Sequence, residues 1–283
     1  MSIKSLVKLM IPPIVLEIRK RIRSNFYGIS GDYKTWRDAN VQLAKKNSGD
    51  YSNPAILTQV LKSVQVVRNG NAIFERDGVL FYEPDYNYPL LASLMRAMSW
   101  YKNKNMTCNI LDYGGSLGST YFQNRTYLKE MNPFVWHIVE QPNFVRVGQE
   151  NIPEIQFHET LEAFQEVGNS CDILLLSGVL QYFDEPYKWL TRMLDRKFHY
   201  IIIDRTFFNF DERDRLGIQS VPPEIYSGTY PAWLLNKVKL IRQIEDAGYV
   251  KLDDWESFDR MRIKTGGRID EKLSEGVMFK FNY

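Results

Sequence analysis

The sequence predicts an α/β protein, a doubly wound sheet of seven strands with a mostly helical N-terminal region appended. Three observations predict it. From Cys108 onward, short apolar runs alternate with longer mixed segments, the pattern of strands buried between helices. The first of these runs, residues 109–113, feeds directly into a glycine-rich turn. Before residue 100 the spacing is instead that of helices, interrupted by one hairpin signal.

The elements follow in order. Residues 1–24 are locally basic, with Lys4, Lys8, Arg19, Lys20, Arg21 and Arg23 against Glu17, around an apolar stretch at 9–16. That stretch is too short to span a bilayer, which takes about 20 apolar residues. It lacks a small-residue cleavage site, and Pro12 and Pro13 break any single long helix. Two readings stay open: peripheral contact with the inner face of an anionic membrane, and a helix packed on the rest of the protein. A polar loop at 45–54 precedes a helix at 55–67, a strand–turn–strand at 72–82 turning at Asp77-Gly78, and a helix at 90–101. Residues 1–100 are therefore read as an extension that walls one side of a site carried by residues 101–283. The seven strands are placed at 109–113, 135–140, 155–158, 172–177, 200–204, 249–255 and 276–281, with a helix at 233–247 stopped by Gly248.

Composition narrows the function. A chain of 283 residues, 44% apolar, buries a full core, and 36 basic against 34 acidic residues give a net charge of +2, which offers no global field for nucleic acid. The partner expected is a small-molecule or glycan acceptor. Cys108 and Cys171 are too few for a disulfide framework, so a cytoplasmic protein with two inert thiols is expected. His137, His158 and His199 lack ligand-like spacing, and no metal is expected.

The chemistry gathers at the turn. Asp112, Gly114, Gly115, Ser116 and Gly118 lie where a strand gives way to a helix, and glycine lets the backbone approach a ligand closely. Glu140 ends the next apolar run about 20 residues on, where an acid accepts both hydroxyls of a ribose. The strand at 172–177 carries Ser177 to its carboxyl end, with Gln181 and Tyr182 just beyond. Ligands of open α/β sheets sit at such ends. Gly114, Gly115 and Gly118 do not have the G-x-G-x-x-G spacing, which weakens a nicotinamide reading.

The chain resembles the class I S-adenosylmethionine (SAM)-dependent methyltransferases, with their Rossmann-like fold, and in particular a methyltransferase family found among surface-polysaccharide gene clusters. The resemblance is carried by Phe74-Glu75-Arg76-Asp77, by Leu111-Asp112-Tyr113-Gly114-Gly115-Ser116-Leu117-Gly118-Ser119-Thr120-Tyr121-Phe122-Gln123-Asn124-Arg125, and by Val139-Glu140-Gln141. It continues through Val179-Leu180-Gln181-Tyr182, Ile203-Asp204-Arg205-Thr206, Val221-Pro222-Pro223-Glu224-Ile225-Tyr226 and Tyr230-Pro231-Ala232-Trp233. It implies SAM as cofactor, held through Asp112, Gly114, Gly118 and Glu140. One departure stands out: Ser116 replaces the glycine usual in the turn, with an added glycine at 115.

Methyl transfer to a hydroxyl requires alignment and a general base. Asp204, at the end of an apolar strand, is the candidate base, and an ion pair with Arg205 is its structural alternative. Tyr182 is a second candidate over the reacting centre. Tyr226, Tyr230 and Trp233 are expected to fence the acceptor from the segment at 221–233, with Glu83, Asp85 and Tyr86 as a further wall from the N-terminal region and Arg205 as a further acceptor contact. The leading expectation is O-methylation of a sugar or sugar-linked phosphate in surface-glycan biosynthesis. A nicotinamide-dependent sugar oxidoreductase and a non-catalytic SAM-binding scaffold are the rival classes.

Overall fold

The computed structural model describes residues 26–45, 54–102, 104, 106–131, 133–209, 211–222, 225 and 228–282. The basic segment at 1–24 and Tyr226 lie outside them.

Strand β1 (Gly28–Tyr33) is followed by helices α1 (Trp36–Ala44) and α2 (Pro54–Arg68), the hairpin β2 (Phe74–Arg76) and β3 (Val79–Phe81), and α3 (Tyr88–Lys102). The alternating unit comprises β4 (Cys108–Tyr113), α4 (Ser119–Leu128), β5 (Phe134–Val139), α5 (Pro142–Asn151), β6 (Gln156–His158), α6 (Leu161–Glu166), β7 (Ile173–Ser177), a 3₁₀ turn at Leu180–Tyr182, α7 (Pro186–Leu194) and β8 (Tyr200–Thr206). Then come β9 (Arg215–Ser220), β10 (Thr229–Leu234), α8 (Lys237–Asp246), β11 (Tyr249–Thr265) and β12 (Arg268–Phe281).

One sheet of ten strands, in the order β10-β9-β1-β11-β12-β8-β7-β4-β5-β6, forms the body. The α/β class stands, and the number of strands is corrected from seven to ten. Strands β4 to β8 are mutually parallel, β12 enters antiparallel beside β8, and β11 pairs antiparallel with β12. The chain winds outward from β4 through β5 to β6, then returns to β7 on the other side of β4 and continues to β8. That reversal opens a crevice at the carboxyl ends of β4 and β7, the usual ligand position of such a sheet.

Alternation along the strands explains why both faces are covered. Ile110, Ile173, Leu175 and Ile202 face one apolar cluster with α2, α3, α4 and α5. Leu111, Leu174, Leu176, Ile201 and Ile203 face the other with α6, α7 and α8. Strands buried on both sides read as continuous apolar runs, which is why these were recognisable.

Of the three added strands, one comes from the N-terminal region and two from the segment between β8 and α8. β1 lies between β11, to which it is parallel, and β9, to which it is antiparallel, and β9 pairs antiparallel with β10. The N-terminal region therefore supplies a strand to the sheet as well as helices. This part of the sheet curls back: Phe208, just after β8, bridges to Leu235, just after β10, and the Asn209 amide donates to the Leu235 carbonyl at 2.8 Å. Ile29, Phe207, Ala232, Leu234 and Ile263 pack together in the curl. The helix expected at 233–247 begins later, at Lys237, because Trp233 and Leu234 are strand residues paired with β9, and Asn236 caps the helix by accepting from the Lys239 amide at 2.8 Å. The expected acceptor segment at 221–233 likewise forms β10 from Thr229 onward.

Among the described residues, no helix is long and apolar enough to cross a membrane, and no group of three or more His, Cys, Asp or Glu is arranged to hold a metal ion. His137 pairs with His158 at 3.1 Å, and burial pushes the His137 imidazole down to about 4. Cys108 and Cys171 are free thiols, and burial raises both.

Candidate active site

The crevice is built from the ends of β4, β5 and β7. Asp112, next to last in β4, is 1% exposed, and burial lifts its carboxyl to about 7. Its Oδ2 has no hydrogen-bond partner; the Trp136 indole lies near it outside hydrogen-bond geometry. A Cβ on Gly115 would lie 2.5 Å from the Asp112 Cγ and Oδ2, so only a glycine allows the turn to fold this tightly against the carboxylate. Gly114 has φ +75°, and a Cβ there would also strike Val179 Cγ2 at 2.5 Å.

Ser116 occupies a left-handed position, φ 52°, a conformation that favours glycine. Gly118 precedes α4 and also has a positive φ. Among the described residues, four non-glycine residues have positive φ, and three of them, Asp77, Ser116 and Arg205, belong to this part of the molecule. Strain of this kind, roughly 1–3 kcal/mol each, persists where surrounding structure enforces it and gathers at functional sites.

Glu140 follows β5. Its Oε2 accepts from the Gln141 amide at 2.6 Å, and burial raises its carboxyl while the Gln141 and Ser116 amides oppose the rise. Ser177 ends β7, and its Oγ is buried without a partner. Gln181 Nε2 donates to the Arg205 carbonyl at 3.4 Å, and Gln181 Oε1 is a third buried, unpartnered atom. The structure therefore brings the predicted residues Asp112, Gly114, Gly115, Ser116, Gly118, Glu140, Ser177 and Gln181 together. Native interiors leave few polar atoms unpaired, so three on one sheet edge point to a missing ligand.

Other expectations fare differently. Asp204 is fully buried, its Oδ1 accepting from Trp255 Nε1 at 2.9 Å and its Oδ2 from Asn87 Nδ2 at 2.9 Å. Both oxygens are occupied and sealed from solvent, which corrects the assignment of Asp204 as general base; it anchors α3 and β11 to β8. Arg205 pairs not with Asp204 but with Asp259. Tyr182 donates to Gln219 Oε1 at 3.1 Å, stacks edge-on with Tyr230 at 5.2 Å, and packs against the apolar residues of the curl. It tethers the 3₁₀ turn to β9 and β10, with burial raising its phenol, rather than covering the cofactor crevice. Trp233 is half-buried and donates to the Phe183 carbonyl. Glu83 and Asp85 are exposed between β3 and α3, and Tyr86 meets Tyr127 edge-on.

The segment singled out only by resemblance borders the crevice. Glu75, 3% exposed on β2, accepts from the Ser119 hydroxyl, and from the Gly78 amide at 2.9 Å; burial lifts it to about 7. It ties the hairpin to the first turn of α4. A cleft of ≈ 990 Å³ lies elsewhere and is lined by Trp36, Val41, Pro186, Tyr187 and Trp233, with none of the crevice residues.

Comparison with family models and with curated proteins finds no match. Solved structures similar to the chain include the N-terminal domain of EvdMO1 in the presence of SAH and D-fucose, 15% identical over 77% of this chain and 97% of that one, TM-score 0.43. The glycopeptide N-methyltransferase MtfA complexed with SAM is 9% identical over 67% and 87%, TM-score 0.43. Magnesium protoporphyrin IX methyltransferase from Synechocystis PCC 6803 with bound SAM is 10% identical over 100% and 98%, TM-score 0.40. Similarity at this level identifies neither substrate nor activity, and the residues of the site carry the functional reading.

Proposed function

We propose that the protein is a SAM-dependent methyltransferase that methylates a hydroxyl of a sugar or sugar-linked phosphate in surface-glycan biosynthesis. The observation that carries the cofactor is the set of unpartnered buried atoms, Asp112 Oδ2, Ser177 Oγ and Gln181 Oε1, at the carboxyl edge of β4 and β7. The donor set fits. Asp112 answers the methionyl ammonium, the Gly114–Gly115 backbone approaches the amino-acid portion, and Glu140 accepts the ribose hydroxyls. SAM supplies an electrophilic methyl group on its sulfonium. The glycan acceptor rests on the resemblance in sequence alone.

The chain's own residues align the acceptor, exclude water and take up a proton. With Asp204 sealed, we assign the hydroxyl proton to Asp77. It is exposed at the hairpin turn, in a left-handed conformation, within electrostatic reach of Tyr182 and Arg205.

Isothermal titration with SAM and with S-adenosylhomocysteine, NAD serving as control, tests the reading. Binding of both that weakens at least tenfold in Glu140→Ala is the expected result. Heat with NAD and none with either sulfur ligand would transfer the site to the nicotinamide reading.

A further inference from the structure

Next to the crevice, two arginines from distant parts of the sequence share one carboxylate. Arg76 NH1 donates to Asp259 Oδ1 at 2.8 Å, and Arg205 Nε donates to Asp259 Oδ2. Three separate devices produce the arrangement. Arg76 ends β2, with its guanidinium 5.7 Å over the Phe74 ring. Arg205 leaves the line of β8 through its left-handed backbone. Asp259 lies where the β11–β12 register shifts, between Glu256 and Arg260, and bulges of this kind re-aim side chains.

The three groups are not closed off. Their side chains are 24%, 30% and 20% exposed, so the cluster is partly open to solvent while the shared carboxylate holds both arginines in place. Each arginine spends one nitrogen on Asp259, and neither guanidinium makes another hydrogen bond among the described residues, which leaves the other N–H groups of both forks available to a ligand. Asp77 and Asp85 also act on Arg76, and Asp77 and Asp204 on Arg205, so what the pair offers an anion is directed N–H groups and not an excess of charge. The clamp also adjoins the crevice from both sides. Glu75, the neighbour of Arg76, touches Ser119 at the start of α4, and the Arg205 carbonyl accepts from Gln181.

We infer that Arg76 and Arg205, held beside the crevice by Asp259, form a receptor for an anionic group, phosphate or carboxylate, on the methyl acceptor. The inference rests on the methyltransferase reading for the word acceptor, and it narrows the substrate to an anionic sugar. A guanidinium fork matches the oxygens of either anion two at a time, which a lysine ammonium does not.

The test is titration of the full chain, saturated with S-adenosylhomocysteine, using inorganic phosphate, glucuronate and glucose as probes. Phosphate or glucuronate is expected to bind, and glucose not. Arg76→Gln is expected to weaken the anion at least tenfold and Arg76→Lys nearly as much, with S-adenosylhomocysteine affinity unchanged in both. Phosphate alone binding identifies a phosphorylated acceptor, and glucuronate alone a uronate. Anion affinity equal to that of glucose, or unaltered in both variants, overturns the inference. If S-adenosylhomocysteine fails to bind while phosphate binding still depends on Arg76, the cofactor reading falls and the anion receptor stands.

Discussion

Replacing Asp112 by Asn separates stability from function in one residue. Burial carries the native carboxyl from an ordinary 3.8 to about 7, so ionising it in the ligand-free protein costs about 4 kcal/mol at ~1.4 kcal/mol per tenfold. Because the native value is raised, the penalty is absent below the unfolded pKa, grows as pH rises, and is complete above about 7. Asn carries no such penalty. The stability of Asp112→Asn relative to wild type should therefore rise by about 2 kcal/mol between roughly pH 5.5 and pH 8. Glu75 and Asp204 are raised in both proteins and cancel; the repulsion between Asp112 and Glu140 acts in the same direction as the main effect. On the proposed cofactor reading, the same substitution removes the charge that would face the methionyl ammonium, worth about 2–3 kcal/mol, or roughly a 30- to 150-fold loss of S-adenosylhomocysteine affinity. Urea unfolding at the two pH values and titration calorimetry measure both. A variant that binds as well as wild type, or whose stability advantage does not widen with pH, would refute the assignment of Asp112 as a strained, ligand-awaiting carboxylate.

Gly115→Ala places a Cβ 2.5 Å from the Asp112 carboxylate; calorimetry should show at least a tenfold loss of S-adenosylhomocysteine affinity, with about 1–3 kcal/mol of destabilisation. Asp204→Ala strands the Trp255 indole and the Asn87 amide, so denaturant melts should record about 2–3 kcal/mol of lost stability, while cofactor affinity stays within about threefold.

The central strands were legible because burial on both faces leaves continuous apolar runs, as in Ile173–Ser177 and Tyr200–Thr206. The cradle was legible because its parts are local: Asp112 and its glycines are consecutive, and Glu140 follows on the next strand. β1, β9 and β10 were not, since short stretches such as GISGDY and RLGIQS acquire strand character only from partners far along the chain. Gly266-Gly267 between two alternating runs is a hairpin signal that would have extended the strands at 249–255 and 276–281 to their full lengths. Trp233 fell into the helix because its apolar neighbours continued the helical spacing, although Asn236 marks the true start. Arg76 and Asp259, separated by 183 positions, carry no sequence sign of their meeting.

The placement of β1 in the sheet bears on how the chain assembles during synthesis. β1 leaves the ribosome before every other described strand, yet its neighbours are residues 215–220 and 249–265. Its backbone donors and acceptors must wait, unpaired, while the cradle strands β4 to β8 form among themselves. Contacts this distant in sequence form late and slowly. The half that carries the glycine-rich turn is thus free to fold first, and the half built on β1, β9 and β10 is completed only when the first strand made meets the last hairpin released.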